Sequence, residues 1–220
     1  MRLGESKASV FKRFAKAPIL RRTVRLIGFA ALLAGAGVAS AKGPLADEPL
    51  VEVQSVDPTI MVELRYATPQ NVTGRMLYRP EQPCLLRKSV AKKLLVAQAF
   101  LKERGFRLKI WDAWRPASAQ QMLWELMPDR SFVAPPKGLA LHTWGVALDA
   151  TLVDLKGRPV AMPTDFDVFT EHAAMYYKGP DKKIAYHVST LQVAMGSAGF
   201  LGMKTEWWHF IPRNYLDYQP

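Results

Sequence analysis

His142-Thr143-Trp144-Gly145-Val146-Ala147-Leu148-Asp149 is the stretch on which the reading of this chain turns. It joins a histidine, a glycine that permits a tight turn, and an apolar run that receives a single carboxylate. The pattern predicts a strand over Val146–Val153. Alternation then places Ala147, Asp149 and Thr151 on one face and Val146, Leu148 and Ala150 on the other. A carboxylate in such a strand is unfavourable unless it is hydrogen-bonded, paired or bound to a metal.

Sixty residues further on, Glu206-Trp207-Trp208-His209-Phe210 again sets two ionisable groups in an apolar run. Residues i and i+3 face opposite sides of a regular strand, so Glu206 and His209 share a site only if the chain bends here or Glu206 precedes the strand. Taken alone, the run also reads as a core tryptophan cluster with an edge histidine. Taken together, His142, Asp149 and His209 are two imidazoles and one carboxylate, a three-ligand zinc set with a fourth position open for water. Glu206 is then the candidate general base and acid. Upstream, Trp111-Asp112-Ala113-Trp114-Arg115-Pro116 supplies Arg115, its direction fixed by Pro116, as the candidate positive charge facing an oxyanion. By itself Arg115 also reads as a solvated loop arginine.

Around these segments the chain predicts strands over Thr59–Tyr66, Phe106–Trp111 and Lys204–Ile211. Helices are predicted over Ser89–Arg104, with Ser89 as N-cap and Gly105 just past the end, over Ala117–Met127, and over Tyr186–Gly199. Strands and helices interleave with irregular spacing, which favours α+β over a regular βαβ array.

The 220 residues carry a formal charge of +11, but unevenly. Residues 1–41 hold eight basic residues against Glu5. Within that segment Leu26 to Val38 is uncharged and apolar, too short for a membrane span of roughly 20 residues and right for a signal-peptide core. Ala39-Ser40-Ala41 fits a cleavage site, so 1–41 reads as a signal peptide and the remainder as exported and periplasmic. An uncleaved membrane anchor is the competing reading, and Arg21-Arg22 raises a twin-arginine route. Residues 42–58 read as a flexible lead-in and 59–220 as one catalytic domain. The single cysteine, Cys84, excludes an intramolecular disulfide and any cysteine-cluster metal site. Neither a GxGxxG loop nor a P-loop is present. No nucleic-acid motif accompanies the basic charge, and no obligatory protein partner is implied.

In this order the segments resemble the D-alanyl-D-alanine dipeptidases, within the zinc D,D-peptidases of murein metabolism. Leu64-Arg65-Tyr66-Ala67-Thr68 with Asn71-Val72-Thr73-Gly74 resembles the opening block of that family. Trp111 to Pro116 resembles its arginine block, His142 to Asp149 its H-x-x-G-x-A-x-D block, and Phe166-Asp167 its Phe-Asp pair. Gly199-Phe200 and Glu206 to His209 resemble its C-terminal block. The resemblance implies a central, mostly antiparallel sheet with flanking helices, of the zinc D,D-peptidase (hedgehog-like) type. It implies one Zn²⁺ per chain on His142, Asp149 and His209, Glu206 as general base and then acid, and Arg115 on the tetrahedral intermediate. Asp167 would receive the free ammonium of a small D-amino-acid dipeptide. His172 and His187 match no metal block. Ala140 and Leu141 stand where the family carries serines that contact substrate. A D,D-carboxypeptidase or endopeptidase acting on peptidoglycan stems therefore stays open, as does a non-catalytic cell-wall-binding domain.

Overall fold

The structure is a computed structural model, and it describes residues 42–220; the expected leader lies outside the described residues. Its centre is a five-stranded sheet. In chain order, β1 (Leu50–Glu52) leads into a single helical turn, α1 (Val53–Val56), and then β2 (Met61–Val62). β3 (Leu85–Arg87) precedes α2 (Lys88–Lys102), β4 (Phe106–Asp112) and α3 (Ala117–Leu126). β5 (Leu148–Asp154), α4 (Lys182–Ser197), β6 (Phe200–Met203) and β7 (Glu206–Pro212) complete the chain. The sheet runs β2-β4-β5-β7-β6, and β1 and β3 form a separate two-stranded ribbon. β2 pairs parallel with β4, and every other neighbour in the main sheet is antiparallel. This is the α+β arrangement the spacing implied.

Helices α2 and α4 pack on each other and on the sheet. α2 buries Val90, Leu94, Ala97 and Leu101, the apolar stripe that its periodicity announced. Its N-terminus is capped differently from expectation. Ser89 lies inside the first turn, and the Glu48 carboxylate accepts its backbone N–H at 3.1 Å. An anion at that position also complements the helix dipole.

Residues 42–58, expected as a flexible lead-in, are instead built into the domain. Leu45 N–H bonds to Asp217 O at 2.7 Å and Gly43 N–H to Gln219 O at 2.9 Å, joining the start of the described chain to its end. β1 pairs with β3, and Val53 is fully buried. The strand expected over Thr59–Tyr66 shrinks to Met61–Val62, because Arg65–Ala67 winds into a 3-10 turn. α4 starts at Lys182 rather than Tyr186, since the Asp181 carboxylate accepts from Lys183 and Ile184 N–H. The strand expected over Lys204–Ile211 is the second arm of a hairpin whose first arm is β6.

That hairpin is irregular in a way that matters. Gly202 pairs with Phe210 but Met203 pairs with Glu206, so three residues of β7 stand where β6 has none. The bulge breaks the alternation of β7 and re-aims its side chains. Trp207 and Trp208 are fully buried, while Glu206 and His209 both line one cleft.

Candidate active site and metal centre

Strand register assembles the first part of the site. Asp112 of β4 pairs with Asp149 of β5, and Asp149 pairs with His209 of β7. Residues directly opposite on antiparallel strands point to the same face with Cβ atoms about 5 Å apart. His209 Nδ1 accordingly lies 2.9 Å from Asp149 Oδ1. The neighbours Leu148 and Ala150 enter the hydrophobic core.

His142 arrives from the turn before β5. Gly145 has φ +75°, a conformation that favours glycine, and a Cβ there would also displace the end of the Leu50 side chain. His142 Nδ1 is 2.8 Å from Ala113 O. A carbonyl only accepts, so Nδ1 carries the proton and Nε2 keeps its lone pair. Nε2 faces His209 Nδ1 at 3.3 Å and Asp149 Oδ2 at 3.5 Å. Ligand atoms of His142, Asp149 and His209 all lie within 4.8 Å of one another. Three electron-rich atoms converging in a buried site, one of them already oriented by a carbonyl behind it, fit a divalent cation. Burial lowers the His142 pKa to about 3. Burial also opposes charge on His209, but the hydrogen bond and charge of Asp149 outweigh it and raise its pKa.

Arg115 sits beside this group, buried, on the segment between β4 and α3. Its Nε and Nη2 donate to Asp112 Oδ2 at 3.2 and 2.7 Å, and Nη1 donates to Gln120 Oε1 at 2.9 Å. The guanidinium lies over the Tyr66 ring, 4.9 Å from its centroid. Burial disfavours the charge, yet Asp112 together with Tyr66, Tyr78 and Asp149 outweighs it and holds Arg115 above its ordinary pKa. Asp112 accepts in addition from Tyr78 Oη at 2.5 Å and lies 3.3 Å from His142 Nδ1. One carboxylate therefore braces both the arginine and a metal-site histidine. The sequence offered no sign of that role beyond the three-residue spacing to Arg115.

Two acids in the cleft are unneutralised. Glu206 is buried, and among the described residues its Oε1 has no hydrogen-bond partner. Burial raises its pKa to about 7, with His209 opposing and Asp149 and Asp167 reinforcing. Asp167 is also buried and also raised to about 7, by burial first and then by Asp149. It accepts from Tyr66 Oη at 2.9 Å and from Val72 N–H at 3.4 Å, and no basic side chain forms an ion pair with it among the described residues. Tyr66, a ring of the core with its hydroxyl on this acid, was quoted in the sequence without a role.

All six residues singled out in the sequence, His142, Asp149, His209, Glu206, Arg115 and Asp167, line one cleft of about 420 Å³. Its remaining wall is largely apolar and includes Phe132, Phe169, Leu139, Ala140 and Leu141. The two residues standing in place of family serines thus face the cleft. His187 and His172 stay away from it: His187 is buried with Nδ1 2.7 Å from Ala161 O, and His172 is exposed in a 3-10 turn.

A His–Asp–His group, a buried glutamate with a free oxygen and a braced arginine in one cleft fit a metal-dependent hydrolase. The chain belongs to the D-ala-D-ala dipeptidase family, whose sequence model matches residues 46–217. It is similar to the D-alanyl-D-alanine dipeptidase of Escherichia coli (strain K12), with 34% identity over 161 residues, 73% of this chain and 83% of that protein. It is also similar to the D-alanyl-D-alanine dipeptidases of Enterococcus faecalis (strain ATCC 700802 / V583), at 29% over 180 residues, and of Enterococcus faecium, at 27% over 182. These matches span 70% and 71% of this chain and 88% and 90% of those proteins.

Proposed function

We propose that this chain is an exported zinc dipeptidase that hydrolyses D-Ala-D-Ala to free D-alanine. The observation that carries the reading is Glu206: a buried carboxylate with an unpartnered oxygen, in one cleft with the His142–Asp149–His209 group and Asp167. Those three residues would hold the metal, and a Zn²⁺ bound there would polarise water and a carbonyl oxygen and lower the water's pKa to about 7. Glu206 takes the proton of the attacking water onto its free carboxylate oxygen. It then returns that proton to the departing amine nitrogen. Its burial and its free oxygen leave the carboxylate placed to take that proton and return it.

Arg115 brings fixed positive charge to the oxygen that becomes anionic. Three of its five N–H bonds are used on Asp112 and Gln120, which sets its orientation before substrate arrives. Asp167 receives the substrate ammonium: a buried carboxylate without an ion-pair partner is stabilised by a cation that the substrate itself supplies. An ammonium anchor of this kind favours a free dipeptide over an internal position in a longer peptide.

The test is a comparison of the four Ala-Ala stereoisomers and N-acetyl-D-Ala-D-Ala. The D,D isomer is expected to be cleaved in preference to the others. The acetylated compound is expected to react at least about a hundredfold more slowly, since it leaves Asp167 unpaired. Equal turnover of the free and acetylated compounds would instead assign the chain to D,D-carboxypeptidases.

A further inference from the structure

Asp167 does not hold itself in place. It has φ +58°, the left-handed region, where side chains other than glycine are disfavoured and persist because their surroundings fix them. Two residues earlier, Asp165 opens the turn. Its carboxylate accepts the N–H of Phe166 at 2.8 Å, and its carbonyl accepts the N–H of Val168 at 3.4 Å. The Asp165 side chain is 60% exposed, so by itself it is free to swing into solvent.

Arg65 prevents this. Its Nη1 and Nη2 donate to Asp165 Oδ1 and Oδ2, both at 3.0 Å, in the two-pronged geometry peculiar to arginine. Its Nε donates to Gln70 O at 2.7 Å, and Glu63 Oε1 lies 3.8 Å from Nη1. The guanidinium lies 5.7 Å from the Trp111 ring centroid and 5.8 Å from that of Phe166. Only 11% of the Arg65 side chain is exposed, which sets this pair apart from an ordinary surface ion pair of negligible effect.

The two ends of the Arg65 contacts coincide with the two sides of the Asp167 site. Gln70 belongs to the loop that supplies Tyr66 Oη and Val72 N–H to Asp167, and Asp165 belongs to the turn that carries Asp167 itself. We infer that Arg65 is a positioning residue: its bidentate clamp on Asp165, together with its bond to Gln70, fixes the carboxylate of Asp167 for the substrate ammonium. The inference rests on the dipeptidase reading above. Arg65 does not line the cleft and touches no reacting atom.

The test uses Arg65→Ala, Arg65→Lys, Asp165→Asn and the Arg65→Ala/Asp165→Asn double variant in full-length protein. Arg65→Ala and Asp165→Asn are each expected to raise KM for D-Ala-D-Ala about tenfold while kcat stays within about twofold, because the anchor and not the chemistry is disturbed. The double variant should resemble Arg65→Ala, since both changes break one contact. Arg65→Lys should recover only part of the loss. As a second readout, propanoyl-D-Ala, a competitor without the ammonium, should bind all variants alike. Asp165→Asn keeps the shape of the turn, so it reports even if Arg65→Ala folds poorly. Unchanged KM in Asp165→Asn, or equal weakening of propanoyl-D-Ala, would overturn the positioning role. Absence of D-Ala-D-Ala turnover in the unaltered protein would overturn the dipeptidase reading and this inference with it.

Discussion

Asp112 has no exposed surface, yet three side chains converge on it: Arg115, Tyr78 and His142. Removing it by Asp112→Ala leaves the Arg115 charge buried without its ion-pair partner, held by Gln120 and the Tyr66 ring. Loss of one partner of a buried pair typically destabilises by about 3–5 kcal/mol. Chemical denaturation should show a loss of that size, together with reduced turnover as Arg115 loses its orientation; a change below about 1 kcal/mol would contradict the bracing role. At this scale the sequence was informative where an ionisable group interrupts an apolar run, as at Asp149, Glu206 and His209. It was silent where partners lie far apart along the chain, as for Tyr78 and Asp112, or where two like residues compete. Asp165 and Asp167 read alike in sequence. In the fold one is a largely exposed turn residue and the other a buried acid of the cleft.

The elements were legible to the extent that burial is periodic. β4, β5, α2 and α3 appear within a few residues of their expected positions because one face of each meets the core. β5 starts at Leu148 rather than Val146, since the N–H groups of Val146 and Ala147 still bond to Leu141 O in the turn that delivers His142. The features that build the site break periodicity. The β7 bulge lets Glu206 and His209 share a cleft, one of the two solutions that their i, i+3 spacing demanded. The 3-10 turn at Arg65–Ala67, where a strand was expected, sends Arg65 to Asp165 and Tyr66 to Asp167. A hydrophobicity pattern cannot announce such departures: the bulge breaks the alternation it reads, and the 3-10 turn meets residues about a hundred positions away.

Across the whole molecule, the segment that composition made a loose lead-in closes the domain. Glu48 caps α2, and Gly43 and Leu45 bond to the C-terminal residues. Pro-, Asp- and Glu-bearing composition is compatible with a loop, and docking to the far end of the chain is invisible to a local reading. On the proposed export reading, mass spectrometry of the mature protein should give Lys42 as the first residue, with seven units of net positive charge removed with the leader. A retained Met1 would support the anchor instead. The three residues that could hold a metal are 142, 149 and 209, so the group assembles only when strands β5 and β7 are paired. The most direct test of the account is D-alanine release from D-Ala-D-Ala by metal-stripped protein titrated with Zn²⁺, beside Glu206→Gln, with bound zinc measured in both. The account predicts that turnover of the unaltered protein returns as one zinc per chain is bound. Glu206→Gln should bind the same amount while kcat falls about 10²–10⁴-fold. Full turnover without metal, or undiminished turnover by zinc-loaded Glu206→Gln, would contradict it.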